Sequence, residues 1–195
     1  ASVIFKEGLP YRFNPPDAAA LAAALALALE IKGAEITAVS IGEERVESYL
    51  RNALASGAAK AVRIHDKDIT EPSSYQKALL LSGLVKASGA DLVLTGARSL
   101  DTASGQVGQM LAACLGWPCV DDVTAIEPDK ENGLTLTKDI GRGEREKLKC
   151  GLPAVVTVKG EGKLPYAALD KLIESQSAEI PVLAGADLGI APEAL

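Results

Sequence analysis

The chain is poor in the residues from which most active sites are built. With one histidine, His65, it has little material for a histidine-based metal cluster or a Ser–His–Asp relay. Its three cysteines, Cys114, Cys119 and Cys150, are odd in number and form no C-x-x-C pair, which argues against a disulfide framework and a thiolate zinc site. That usage points to a reducing, cytoplasmic compartment. A formal net charge of −6 lacks the basic face expected of a nucleic-acid binder. Neither the G-x-x-x-x-G-K-[ST] loop nor the G-x-G-x-x-G fingerprint occurs. The longest apolar run, residues 18–29, is bracketed by Asp17 and Glu30 and falls short of the roughly 20 residues of a membrane span, so no membrane insertion is expected. No basic n-region with a cleavage site is visible before it.

What the chain does have is periodicity. Hydrophobic residues make up 48 % of its 195 residues, enough for a core. "SVIFK", "EITAVSIG", "AKAVRIHD" and "DLVLTG" read as strands. Between and after them, "DAAALAAALALALEIKG", "EERVESYLRNALASG", "SSYQKALLLSGLVKASG" and "GQVGQMLAACLG" read as helices, three of them followed by a glycine stop at Gly33, Gly57 or Gly89. Ser73 or Ser74 is the expected N-cap of the third, and Asp17 that of the first. Strands alternating with helices of this length predict right-handed βαβ units and a mostly parallel sheet flanked by helices. After Trp117-Pro118 the period becomes two, in "CVDDVTAIEPD", "GLTLTKDI" and "REKLKCG", with turn signals at residues 131–133 and 141–143. This predicts an added antiparallel strand group, then a last apolar strand, "PAVVTVKG". The organisation expected is an α/β domain over residues 1–160, and over residues 161–195 a short helical segment and an arm that packs on another surface, that of a second subunit being one candidate.

In an open parallel sheet the ligand crevice lies outside the carboxyl ends of the strands. Three loops end there. "SIGEER" follows one strand, with Glu43 and Glu44 placed as a helix start. "RFNPPDAAAL" brings Asn14, Pro15 and Asp17 to the start of the alanine-rich helix. The third, residues 96–108, is rich in small hydrogen-bonding residues: Ser99, Thr102, Ser104 and Gln106 offer donors, Gly105 permits close approach, and Arg98 is its only cation. Two readings stand for it, a generous β–α connection and a cradle for nucleotide phosphates. No catalytic set assembles from these residues.

Five stretches together resemble one family. They are "NPPDAAAL", "ITAVSIGEERVESYLRNALASGAAKAVRI", "ADLVLTGARSLDTASGQVGQMLAACLGWP", "LPAVVTV" and "LPYAALDKLI". In this order they are similar to the β subunits of electron transfer flavoproteins, the FixA-type proteins. The resemblance implies an adenine-nucleotide alpha-hydrolase-like (Rossmann-like) fold without hydrolase activity. It also implies an electron-carrier role beside an α subunit that holds most of the FAD site, and an adenine nucleotide, AMP or a second FAD, in this subunit. It assigns cofactor contacts to Asn14, Pro15 and Asp17, to Ile41, and along the loop to Gly96, Arg98, Ser99, Asp101, Ser104, Gly105, Gln106, Val107 and Gly108. Tyr166 and Leu169 correspond to a segment that docks a dehydrogenase or other redox partner. No metal ligand is implied.

The sequence departs from the family in three places. Thirteen residues precede Asn14, where the family has a first strand and a hairpin. Gly105 and Val107 stand where AMP-binding members carry Asn and Thr. Gln106-Val107 and Asp17 resemble the electron-bifurcating forms, whereas Thr102-Ala103 stands where those forms carry Gly-Asp. The docking segment runs into "DKLIESQSAEI" rather than a run of lysines, so a partner other than an acidic-surfaced dehydrogenase is expected. A nucleotide-binding or nucleotide-free interaction module of universal-stress type, without redox role, is the alternative reading.

Overall fold

A computed structural model describes residues 12–67, 69, 71–129 and 133–195. The strand expected over residues 2–6, and two of the three residues of the turn at 131–133, lie outside them. Helix α1, Pro15–Glu30, has Asn14 as its N-cap, three residues earlier than Asp17. Two prolines suit this start, because the first helical N–H groups have no intrahelical acceptor and Pro has none to lose. Strand β1 (Thr37–Ile41), a 3₁₀ turn over Glu44–Val46 and helix α2 (Glu47–Ser56) follow, then strand β2 (Lys60–Ile64). Helix α3, Ser74–Ser88, is closed at its start by a capping box between Ser73 and Gln76 and at its end by Gly89 in the left-handed region. Strand β3 (Leu92–Gly96) leads through the long loop to helix α4 (Val107–Leu115).

The antiparallel group is strands β4 (Cys119–Pro128), β5 (Gly133–Gly141) and β6 (Glu144–Gly151). Strand β7, Ala154–Val158, is buried at every residue. It inserts between β3 and β4, parallel to both, so this sheet runs β3-β7-β4-β5-β6. A fully buried central strand, apolar but for Thr157, is what a parallel sheet covered on both faces requires. The second sheet is β1-β2-β8, with β8 (Val182–Leu183) parallel to β2. The α/β class, the parallel sheet and the added antiparallel strands are as the sequence predicts.

The tail turns back onto its own chain. After helix α5 (Leu169–Ser177), Arg63 and His65 donate main-chain N–H groups to Pro181 and Leu183, and Leu188, Ile190 and Leu195 pack against Ile64, Leu80 and Leu84. The reason is visible in β2: its edge and the adjacent face of α3 need both a strand partner and an apolar cover. The larger core lies behind β5 and β7, where Val123, Leu134, Leu136, Ala154 and Val156 are almost entirely buried. Leu136→Ala is expected to lower unfolding free energy by about 2–5 kcal/mol through lost transfer energy and a cavity. Tyr75→Ala, at a side chain 53 % exposed, should stay within about 0.5 kcal/mol of wild type in the same urea titrations.

Candidate functional site

The site is organised by one carboxylate. Asp17, in the first turn of α1, accepts the main-chain N–H of Gly96 on Oδ1 at 2.7 Å and the Asn14 side-chain amide on Oδ2 at 2.8 Å. The same Asn14 amide donates to the carbonyl of Arg98 at 2.8 Å. Asp17 therefore does not cap its own helix; it fastens the helix to the end of β3 and to the loop beyond. The approach is so close that a Cβ on Gly96 would lie 2.5 Å from Asp17 Oδ1 and 2.8 Å from the Asp17 nitrogen. Only glycine fits there.

Beyond Gly96 the loop is shaped by its own hydroxyls. Ser99 and Thr102 lie 3.1 Å apart through their oxygens, and Ser104 Oγ is 3.4 Å from both Thr102 Oγ1 and Ser74 Oγ of α3. The Thr102 N–H donates to Asp101 Oδ1 at 2.6 Å. The Ser99 hydroxyl first, then the Thr102 N–H, hold the Asp101 carboxyl below the usual carboxylate value. Gly105 takes φ +63°, the left-handed region, with the Arg98 side chain lying against it. Helix α4 then starts at Val107 with no side-chain cap: its N-cap residue, Gln106, makes none of the bonds that would satisfy the first N–H groups. Gly108, in that first turn, is pressed on the sheet, where a Cβ would sit 2.4 Å from Thr157 Cγ2 and 3.1 Å from Thr95 Oγ1.

Two polar atoms here are buried with no hydrogen-bond partner among the described residues: Asn14 Oδ1 and Thr95 Oγ1. Both belong to residues that close on the loop, one from α1's start and one from the end of β3. An orphaned buried acceptor costs about 1–3 kcal/mol unless something supplies a donor.

A cleft of about 1240 Å³ runs between β1 and α2 on one side and α1 and β3 on the other. Asn14, Asp17, Ile41, Ser99 and Asp101 line it together, so three segments far apart in sequence meet at one cleft. Pro15, Gly96, Arg98 and the second half of the loop, Ser104 through Gly108, do not line this cleft; Ser104 faces α3 and Gly108 faces β7. Tyr166 and Leu169 stand apart, fully exposed and 72 % exposed respectively, at the start of α5. His65 is half-buried, its main-chain N–H bonded to Leu183. Among the described residues no group of three or more His, Cys, Asp and Glu is placed to hold a metal ion. None of the described helices is long and apolar enough to cross a membrane. Sequence reasoning missed Thr95 and Thr157, which read only as strand residues, and the true role of Asp17.

The arrangement defines an α/β domain whose strand ends, with an uncapped helix start and a cleft, face a common ligand side. The family model described as the electron transfer flavoprotein domain matches residues 2–188. The β subunit of the electron transfer flavoprotein of Bacillus subtilis is 33 % identical over 96 % of this chain and 72 % of its own length. The bovine β subunit is 31 % identical over 96 % and 74 %. Subunit CarD of the caffeyl-CoA reductase–Etf complex of Acetobacterium woodii is 30 % identical over 98 % and 73 %. The chain belongs to the electron transfer flavoprotein family, with the β subunits. Its role is that of an electron transfer flavoprotein component.

Because Ser99 is the chief cause of the lowered Asp101 pKa, Ser99→Ala is expected to raise it toward the ordinary value, read by carboxyl NMR titration. A depressed carboxylate stabilises its loop fully above an unfolded value of about 3.9 and loses that contribution as pH falls through the folded value. Loop order should therefore fade on acidification, and at a higher pH in Ser99→Ala than in wild type.

Proposed function

We propose that this chain pairs with an electron transfer flavoprotein α subunit, carries electrons from a dehydrogenase through FAD, and itself holds an adenine nucleotide, AMP or a second FAD, at the strand ends. The observation that carries the nucleotide is the pair of orphaned buried oxygens, Asn14 Oδ1 and Thr95 Oγ1, beside a loop that leads into an uncapped helix. Such a helix start binds phosphate oxygens through main-chain N–H groups and its partial positive charge, without needing lysine. That suits a loop whose own residues, 96–108, include a single cation, Arg98.

In this reading the main chain at Gly105, Val107 and Gly108 and the side chains of Ser99, Ser104 and Gln106 hold phosphates, with Arg98 above them. Asn14, Pro15 and Ile41 face the base or ribose, and an amide with a spare buried oxygen suits the exocyclic amine of adenine. Gly96 and Asp17 fix the frame, and Asp101 keeps the loop's first half ordered. A bound flavin supplies the electron-carrying chemistry; the chain's part is to bind, orient and shield it. The start of α5 offers the redox partner an apolar anchor, Leu169, beside Tyr166. The acidic run after it favours a partner surface that is neutral or basic.

The complex with the α subunit is to be purified, denatured, and its released nucleotides identified by mass and absorbance. One FAD with one AMP marks a single-flavin carrier, two FAD the bifurcating type, and one FAD alone refutes the nucleotide site proposed here. Gly105→Glu is expected to abolish nucleotide retention in this subunit by placing a carboxylate among phosphates. Gly105→Ala bears a similar left-handed backbone cost, about 1 kcal/mol, and should retain the nucleotide; equal loss in both would assign the effect to the backbone. Separately, Leu169→Glu should slow electron transfer from the native dehydrogenase at least about tenfold, the scale of one buried apolar anchor, with nucleotide content unchanged.

A further inference from the structure

A run of three charged side chains joins the loop after β1 to the far end of α5. Arg63, on β2, donates from Nη1 to the carbonyl of Gly42 at 3.3 Å and from Nε to Glu47 Oε1 at 3.0 Å. The other oxygen of Glu47 lies 3.6 Å from Arg51 Nη2, one turn along α2. Arg51 Nη1 in turn donates to the carbonyls of Ser175, Gln176 and Ala178, at 2.7, 2.9 and 3.0 Å. These are carbonyls at the C-terminus of α5, the end where a helix leaves acceptors unsatisfied and where a cation meets the negative end of the macrodipole.

The three side chains are only 12 %, 20 % and 23 % exposed for Arg63, Glu47 and Arg51. Solvent screens them less than it screens the surface pairs elsewhere on the chain. One carboxylate thus sits between two guanidiniums, and each guanidinium is committed to main-chain carbonyls on a different element. At one end, Gly42 follows Ile41, which lines the cleft. At the other, α5 shows solvent an apolar face, with Leu169 72 % and Ile173 63 % exposed.

We propose that Glu47 is a positioning residue that holds the cleft loop and the docking helix in one frame, through Arg63 to Gly42 and through Arg51 to the end of α5. This rests on the reading of Ile41 as a cleft contact and of α5 as the docking element. A carrier has to present its docking surface at a set distance from its nucleotide, and this link makes that distance a property of the chain itself. Apolar packing by Ile180 on Leu50 and Ala61 tethers the segment after α5 but leaves the helix axis unspecified. Three converging carbonyl bonds from one planar guanidinium specify it.

The test is hydrogen exchange of the complex with the α subunit, read over residues 40–46 and 168–180, with residues 107–115 and 154–158 as internal controls. In Glu47→Gln both test segments should exchange roughly tenfold faster, as local opening without the charge-assisted bonds becomes easier, while the controls keep wild-type protection. Arg51→Ala should loosen residues 168–180, and Arg51→Lys should restore them only partly, since a single ammonium cannot meet the carbonyls from one nitrogen and Glu47 from another as the guanidinium does. Faster exchange in one segment only, in neither, or throughout the domain in Glu47→Gln would overturn the proposal. The docking reading fails by a different result, unaltered electron transfer in Leu169→Glu, which leaves these exchange rates where they are.

Discussion

The contact on which the rest depends is Asp17 against the end of β3. Helix α1 is apolar on nearly every face, so hydrophobic burial alone would let it settle in several registers on the sheet. Two short bonds from its start, one from the Gly96 main chain to Asp17 and one from Asn14 to the Arg98 carbonyl, choose among them. Because an ionised acceptor makes bonds roughly twice as strong as neutral ones, the choice is decisive even at an exposed residue. The carboxylate that would have capped the helix is thereby spent on a neighbour, and the prolines at the first two helical positions reduce the number of N–H groups left wanting.

Everything on the ligand side is referred to that anchor. Asn14 reaches from Asp17 to the Arg98 carbonyl and sets where the loop leaves the strand. Gly108 presses the first turn of α4 on Thr157, whose hydroxyl accepts the N–H of Asp122 at a bulge where β4 leaves β7. Asp122 itself takes φ +53°, unusual for a residue with a Cβ. The end of the sheet is thus held by close main-chain contacts at Gly96 and Gly108, and the two orphaned oxygens lie between them.

Local patterns made most of the fold legible. The alternation of strands and helices, the Ser73–Gln76 box, Gly89 as a stop and the change to period two after Trp117 all report on neighbours within a few residues. What the sequence concealed was pairing across distance. Nothing in "PAVVTV" says that it lies between β3 and β4 rather than beside β6, although its unbroken apolar run agrees with a buried central strand. The same holds for "PVL", which reads as tail and forms β8 on β2. At the site, strand-end logic anticipated that Asn14, Ile41 and the first half of the loop would come together, and they line one cleft, while Ser104 through Gly108 lie off it. It misread Asp17, since a capping residue and a residue bonded to the next element look identical in one dimension. Glu47 and Arg51 carried a signal, i,i+4 spacing, but that spacing ordinarily denotes a minor surface pair.

The use of charge accounts for the chemistry as well as the architecture. For the nucleotide site proposed here, an acidic chain has either to concentrate its cations there or to do without them. Arg51 and Arg63 are committed to carbonyls and to Glu47; Lys138 and Lys159 are committed to Asp121 and Asp139 on the antiparallel strands. Within residues 96–108 the loop itself offers one arginine, hydroxyls and main-chain N–H groups, with Lys77 near enough to act on Asp101. Recognition by such neutral donors depends on geometry, because each bond is short-ranged and directional. In the proposed site the main-chain constraints at Gly96, Gly105 and Gly108 would take the part that a lysine takes in a P-loop.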